Sequence, residues 1–112
     1  MIQDSKFLDM CVLDSLVNDI ESVGGILRML NSDTDLGWVR EWGSEFMRVD
    51  VVTALTRLVC DELVRAVELQ KNDGSLTELP LGFIPASSYD DWYFAVTPRG
   101  RMVHDGWNPT LP

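Results

Sequence analysis

A chain of 112 residues has room for one core and not for two ordinary domains, so a single domain over residues 1–112 is expected. Its composition, 46% apolar and 24% charged, is that of a folded soluble protein, and no apolar run reaches the length of a membrane span. Acidic side chains outnumber basic ones 18 to 9, and the resulting net charge of −9 repels a polyanion at long range, which disfavours nucleic acid as a partner.

Residues 4–20 read as a first helix. Asp4 or Ser5 can cap it, and Leu8, Cys11 or Val12, Leu16 and Ile20 make an apolar stripe, with Asp9, Asp14 and Asp19 on other faces. The opening MIQDSKFLDM lacks the basic start and apolar centre of a signal peptide, so a cytoplasmic location is expected. Ser22 suits the N-cap of a second, short helix that buries Val23, Ile26, Leu27 and Leu30. Gly24 and Gly25 lie in its first turn, where they weaken it and leave room for another backbone. A polar turn over residues 31–35 follows. Trp38, Val39, Trp42 and Phe46 then place large side chains along one side of an additional helical piece, interrupted at Gly43 and Ser44. Such a stripe serves either as core or as a partner surface.

Residues 49–70 are the organising stretch, a helix running directly into a strand. Val52, Leu55, Val59 and Leu63 recur at helical spacing, Val51 and Leu58 widen the stripe, and Asp50 can cap the start. With Leu16, Ile26 and Leu30 these residues should form the centre of the core. The outward positions are then Asp50, Thr53, Arg57 and Asp61, with Asp61 as the i+4 neighbour of Arg57. Beyond Leu63, the residues Val64, Ala66 and Val67 among Arg65, Glu68 and Gln70 suit a half-buried strand. Lys71-Asn72-Asp73-Gly74-Ser75 is a strong turn signal that opens a hairpin. Its return strand is expected at residues 92–96, which leaves residues 76–91 as a long connection. Within that connection Leu79-Pro80-Leu81-Gly82-Phe83-Ile84-Pro85 cannot be a central strand, but it can cross the core or present an extended edge to another chain. Thr97 and Pro98 start a last helix that runs to about Trp107 before Pro109 stops it.

Groups able to carry chemistry are sparse. Cys11 and Cys60 have no second cysteine or histidine at ligand spacing, and His104 is the only histidine, so no metal site or nucleophilic dyad is expected. Asp90 and Asp91 read as a solvated turn, since adjacent strand residues point to opposite faces. With no glycine-rich phosphate loop either, the expectation is a non-enzyme that needs no cofactor.

Three helices, a hairpin and a threonine-capped helix is the element order of a winged helix-turn-helix domain. The run from Val52 to Val64 resembles the recognition helix and following strand of regulators of the PadR and MarR type. Phe94-Ala-Val-Thr-Pro-Arg-Gly-Arg101 resembles their signature of leucine, threonine, two residues, glycine and arginine, with Val96 in place of leucine. The fold so implied is α+β and mainly helical: a three-helix core, a β-hairpin wing and a short C-terminal helix. The resemblance also implies Arg48, Thr53, Thr56, Arg57 and Lys71 as candidate nucleic-acid contacts. The chain departs from the family where residues 31–48 separate the second helix from the central one, and where carboxylates dilute the basic groups of both the central helix and the wing tip. The expected function is therefore a non-catalytic winged-helix regulatory or protein-interaction module with weak or no autonomous DNA binding. The alternative is a DNA-binding transcriptional regulator. Trp38, Trp42, Phe83, Ile84 and Trp107 exceed the aromatic and branched area that short helices require, which makes them the candidate surface for a protein partner or a homodimer.

Overall fold

Each change of hydrophobic period along the chain becomes a change of element in the computed structural model, which describes residues 4–32, 38–70, 72–84, 89 and 92–107. Helix α1 (Ser5–Leu16) starts where expected, with the Asp4 carboxylate accepting the Lys6 N–H at 2.9 Å. It stops short of residue 20. Asp19 accepts the N–H of Ile20 at 2.7 Å, a local bond that competes with helix continuation, and the chain turns into strand β1 (Glu21–Ser22). Two residues are too few to show a period, so β1 left no signal of its own in the sequence. Helix α2 (Val23–Ser32) follows, capped by the Ser22 hydroxyl, which accepts the Gly25 N–H at 3.1 Å. A Cβ at Gly24 would face open space, and one at Gly25 would meet the side chains of Glu21 and Ser22.

Helix α3 (Trp38–Trp42) is a single turn ended by Gly43 at φ 97°, a conformation that favours glycine. The chain is then tied back to α2. The Asn31 side-chain amide donates to the Phe46 carbonyl at 2.9 Å and accepts the Phe46 N–H at 2.8 Å. Helix α4 (Arg48–Cys60) begins earlier than expected. Met47 is its N-cap, and Asp50 is not the cap but the third helical residue, its carboxylate accepting the Met47 N–H at 2.8 Å. The buried stripe is Val51, Ala54, Leu55, Leu58 and Val59, so Val52 lies at its edge and Leu63 joins the core from beyond the helix.

The end of α4 sets up the rest of the fold. Glu62 takes φ 61°, Leu63 N–H donates to Leu58 at 2.9 Å, and Glu62 N–H donates to Val59 at 3.0 Å, the paired bonds of a Schellman stop. Strand β2 (Val64–Leu69) starts at once. It pairs antiparallel with two neighbours: β3 (Leu76–Glu78) in the register Leu69↔Leu76, and β4 (Tyr93–Val96) in the register Val64↔Val96. The hairpin turn forms as expected, with Gly74 at φ 74° and Asp73 accepting from both the N–H and the hydroxyl of Ser75. Its immediate return strand is β3, however, and not residues 92–96. Only three residues long and exposed throughout, β3 shows no buried-face alternation that the sequence could have announced.

The sheet is four-stranded and antiparallel, in the order β1-β4-β2-β3. Val64, Ala66 and Phe94 carry its core face against α1, α2 and α4. Helix α5 (Pro98–Asp105) packs on α1 and β4. Its N-cap Thr97 accepts the Gly100 N–H at 3.0 Å and donates its hydroxyl to the Glu62 carbonyl at 2.7 Å, while Thr97 N–H donates to Leu63 at 3.0 Å. Gly100 lies so close to Leu63 that a Cβ would run into the Leu63 carbonyl oxygen. The overall class is thus α+β, with five helices and four strands among the described residues.

Two substitutions test this packing by urea unfolding. Gly100→Ala should destabilise by about 1–3 kcal/mol through overpacking against a backbone that cannot yield. Leu55→Ala, at a fully buried position, should cost about 2–5 kcal/mol. A loss below about 0.5 kcal/mol in either case would contradict the placement of that residue.

Candidate interaction surface

The outward face of α4 is where a ligand could reach the central element. On a helix, residues spaced i, i+4, i+7 and i+11 share one face, and opposite the buried stripe these are Val49, Thr53, Thr56 and Cys60. None carries a formal charge. Val49 is 66% exposed and the neighbouring Met47 60%, so this end of the helix presents apolar surface. Methionine is also a poor N-cap, because it offers no oxygen to the first-turn N–H groups.

The basic groups do not gather on that face. Arg48 and Arg57 stand on roughly opposite sides of α4, about 13 Å apart along its axis. Arg57 is held by α1: its Nε and Nη2 donate to the Asp9 carboxylate at 3.0 and 2.6 Å. Its ion-pair partner is therefore Asp9 and not the i+4 neighbour Asp61, which instead repels Asp9. Burial pushes the Asp9 carboxyl above its ordinary value, an effect that Arg57 only partly offsets, and the bonds to Asp9 hold Arg57 more firmly charged. Thr56 is engaged as well, donating to the Val52 carbonyl at 2.9 Å and sharing a 2.9 Å hydrogen bond with the Tyr89 hydroxyl. Tyr89 in turn stacks on Phe94 with centroids 5.6 Å apart, so residues from the long connection close over this side of the core. Of the candidate nucleic-acid contacts, Arg48 and Thr53 are exposed, Thr56 and Arg57 are tied to neighbouring elements, and Lys71 lies outside the described residues, as do Asp90 and Asp91.

The candidate partner surface also divides. Trp38 and Trp42 are buried: Trp38 meets Phe7 edge-on and stacks on Trp107 at 5.4 Å, and Trp42 stacks on Phe46 at 5.6 Å. These tryptophans are core, because the segment that carries them folds back over α1 and α2. Trp107 is half-buried against Trp38 and beside His104, whose Nε2 lies 2.8 Å from an Asp14 carboxylate oxygen and links α5 to α1. Phe83 and Ile84 alone of the group remain exposed.

Sequence reading missed a second set of exposed apolar residues, Leu69 and Leu76, which form a directly opposed cross-strand pair on the hairpin. Their positions flanking the turn signal would have revealed them once the turn was taken to pair its nearest neighbours. Arg65 clamps this hairpin, donating to the Leu79 carbonyl at 2.6 Å with Glu78 at 3.3 Å from its other terminal nitrogen.

Other kinds of site find little support. A cavity of about 220 Å³ between the end of α1, β4 and α5 has Asp19 and Arg101 in its lining, and it is smaller than pockets that enclose small ligands. Among the described residues no group of histidine, cysteine and carboxylate side chains is placed to hold a metal ion, and no helix is long and apolar enough to cross a membrane. No protein-family model, curated protein or solved structure matches this chain.

The Asp9–Arg57 pair yields a pH-dependent prediction. Arg57→Met leaves a half-buried carboxylate without its donors and should destabilise by about 1–3 kcal/mol at neutral pH. Loss of Arg57 raises the folded-state value of Asp9 further above its unfolded value, so protonation then favours folding. The deficit should shrink as pH falls toward about 4, in the ordinary carboxylate range. Urea midpoints across that range, with Asp9→Asn/Arg57→Met as the variant in which the deficit becomes pH-independent, measure it.

Proposed function

We propose that this protein is a non-catalytic winged-helix module that engages another protein and has weak or no DNA affinity of its own. The reading of the fold is supported by the strand β1 between the first two helices, by its place beside β4 at the sheet edge, and by the hairpin that follows α4 directly. The observation that carries the functional reading is the uncharged outward face of α4. A helix that enters a major groove needs cations beside it for the phosphates, and here Arg57 is spent on Asp9 while Arg48 projects from a different side. An acidic protein can bind duplex DNA only by concentrating its few basic groups, and α4 disperses them.

Exposed apolar side chains support a protein partner. Met47 and Val49 at the start of α4, Leu69 and Leu76 on the hairpin, and Phe83 and Ile84 beyond it are all exposed. The deciding measurement is a fluorescence-anisotropy titration with random and genomic-library duplexes from low to physiological salt. Dissociation constants weaker than about 10⁻⁴ M at physiological salt are expected. Binding near about 10⁻⁸ M, steeply salt-dependent and lost in Arg48→Ala, would replace this reading with that of a DNA-binding regulator.

A further inference from the structure

Among the described residues strand β3 ends the sheet, and its ladder to β2 fixes which of its backbone groups face outward. Gln70 N–H donates to the Ser75 carbonyl at 2.7 Å and Leu79 N–H to the Ala66 carbonyl at 3.2 Å, so residues 75, 77 and 79 turn their backbone groups toward β2. The alternation of an antiparallel ladder then turns the N–H and C=O groups of Leu76 and Glu78 outward. The side chains of these two residues share one sheet face, two positions apart, with Leu76 40% exposed beside Leu69 and Glu78 70% exposed.

Charge decides what can pair there. Glu68, Asp73 and Glu78 are all exposed; Arg65, on the same sheet face as Glu78, lies 3.3 Å from it and is also held by the Leu79 carbonyl, and from Glu68 to Ile84 the sequence contains a single basic residue, Lys71. A second copy of this chain carries the same surplus of carboxylates on a net charge of −9, and a nucleic acid would be repelled in the same way. A cationic strand meets neither obstacle.

We propose that the outer edge of β3 binds an extended segment of a partner protein in which an apolar side chain and a basic one lie two residues apart. The segment adds as a fifth strand through the outward backbone groups of Leu76 and Glu78, its apolar side chain beside Leu76 and Leu69 and its basic side chain beside Glu78. This inference rests on the interaction-module reading and names the partner chemistry and the place of docking.

The test uses the full chain and a short capped peptide in which threonine alternates with valine and lysine, so that valine and lysine succeed each other along one face. Two controls accompany it: the same composition with the lysines clustered, and the same order with glutamate for lysine. Binding is read by heteronuclear NMR. The expected result is saturable binding with amide shifts and slowed hydrogen exchange at Leu76 and Glu78, and affinity at least about tenfold above either control. Leu76→Pro removes one outward N–H while leaving every bond to β2, and Glu78→Lys reverses the side-chain charge. Each should weaken binding by about tenfold or more with the β4 resonances unmoved. Equal binding of the clustered-lysine peptide, shifts centred away from β3, or no binding up to about 1 mM would each overturn the proposal. Those failures leave the anisotropy result on duplex DNA untouched, so loss of the β3 site and loss of the interaction-module reading are separate outcomes.

Discussion

The left-handed turn at Glu62 fixes three elements at once. Its φ of 61° ends α4, and because Leu63 N–H returns to Leu58, the chain leaves the helix pointed along the sheet and not away from it. The carbonyls of Glu62 and Leu63 are then presented outward, and Thr97 collects both through its hydroxyl and its N–H. A threonine that also caps α5 thereby joins the end of the central helix to the start of the last one. Gly100 completes the arrangement by letting α5 close onto Leu63. A glutamate in this conformation bears a strain of about 1–2 kcal/mol that glycine would avoid, and two bonds to Thr97 across the turn compensate for it.

A second constraint is the use made of scarce cations. Arg57 and Arg65 both brace secondary structure, one joining α4 to α1 and the other holding the Leu79 carbonyl beside β2. Arg101 donates to the Val17 carbonyl at 2.9 Å, where the last turn of α1 has no further helical partner. Arg57, Arg65 and Arg101 thus all brace the fold, and the outward face of α4 carries valine, threonines and cysteine.

Much of the architecture was legible in the chain because it rests on local rules. The caps at Asp4, Ser22 and Thr97, the turn at Asp73 and Gly74, and the switch from helical to strand period after Leu63 are each decided by residues within a few positions of one another. The early end of α1 and the true first residue of α4 were less legible, since side-chain carboxylates at Asp19 and Asp50 settle them by competing for nearby N–H groups. The two-residue β1 and three-residue β3 are too short for any period and are created by the partner strands that they meet.

By itself the sequence determined the α+β class, the order of the main helices and strands, the surplus of negative charge and the central place of the stretch that joins α4 to β2. Only the tertiary structure decided which large side chains remain outside. Trp38 and Trp42 are inside because the Asn31 amide brackets Phe46 and folds their segment over α1 and α2, whereas Leu69 and Leu76 are outside because they lie on the sheet face opposite Val64, Ala66 and Phe94. The same holds for charge. Arg57 finds Asp9 and not Asp61, since the sequence fixes only the spacing along one helix, and the pairing depends on what another helix brings alongside.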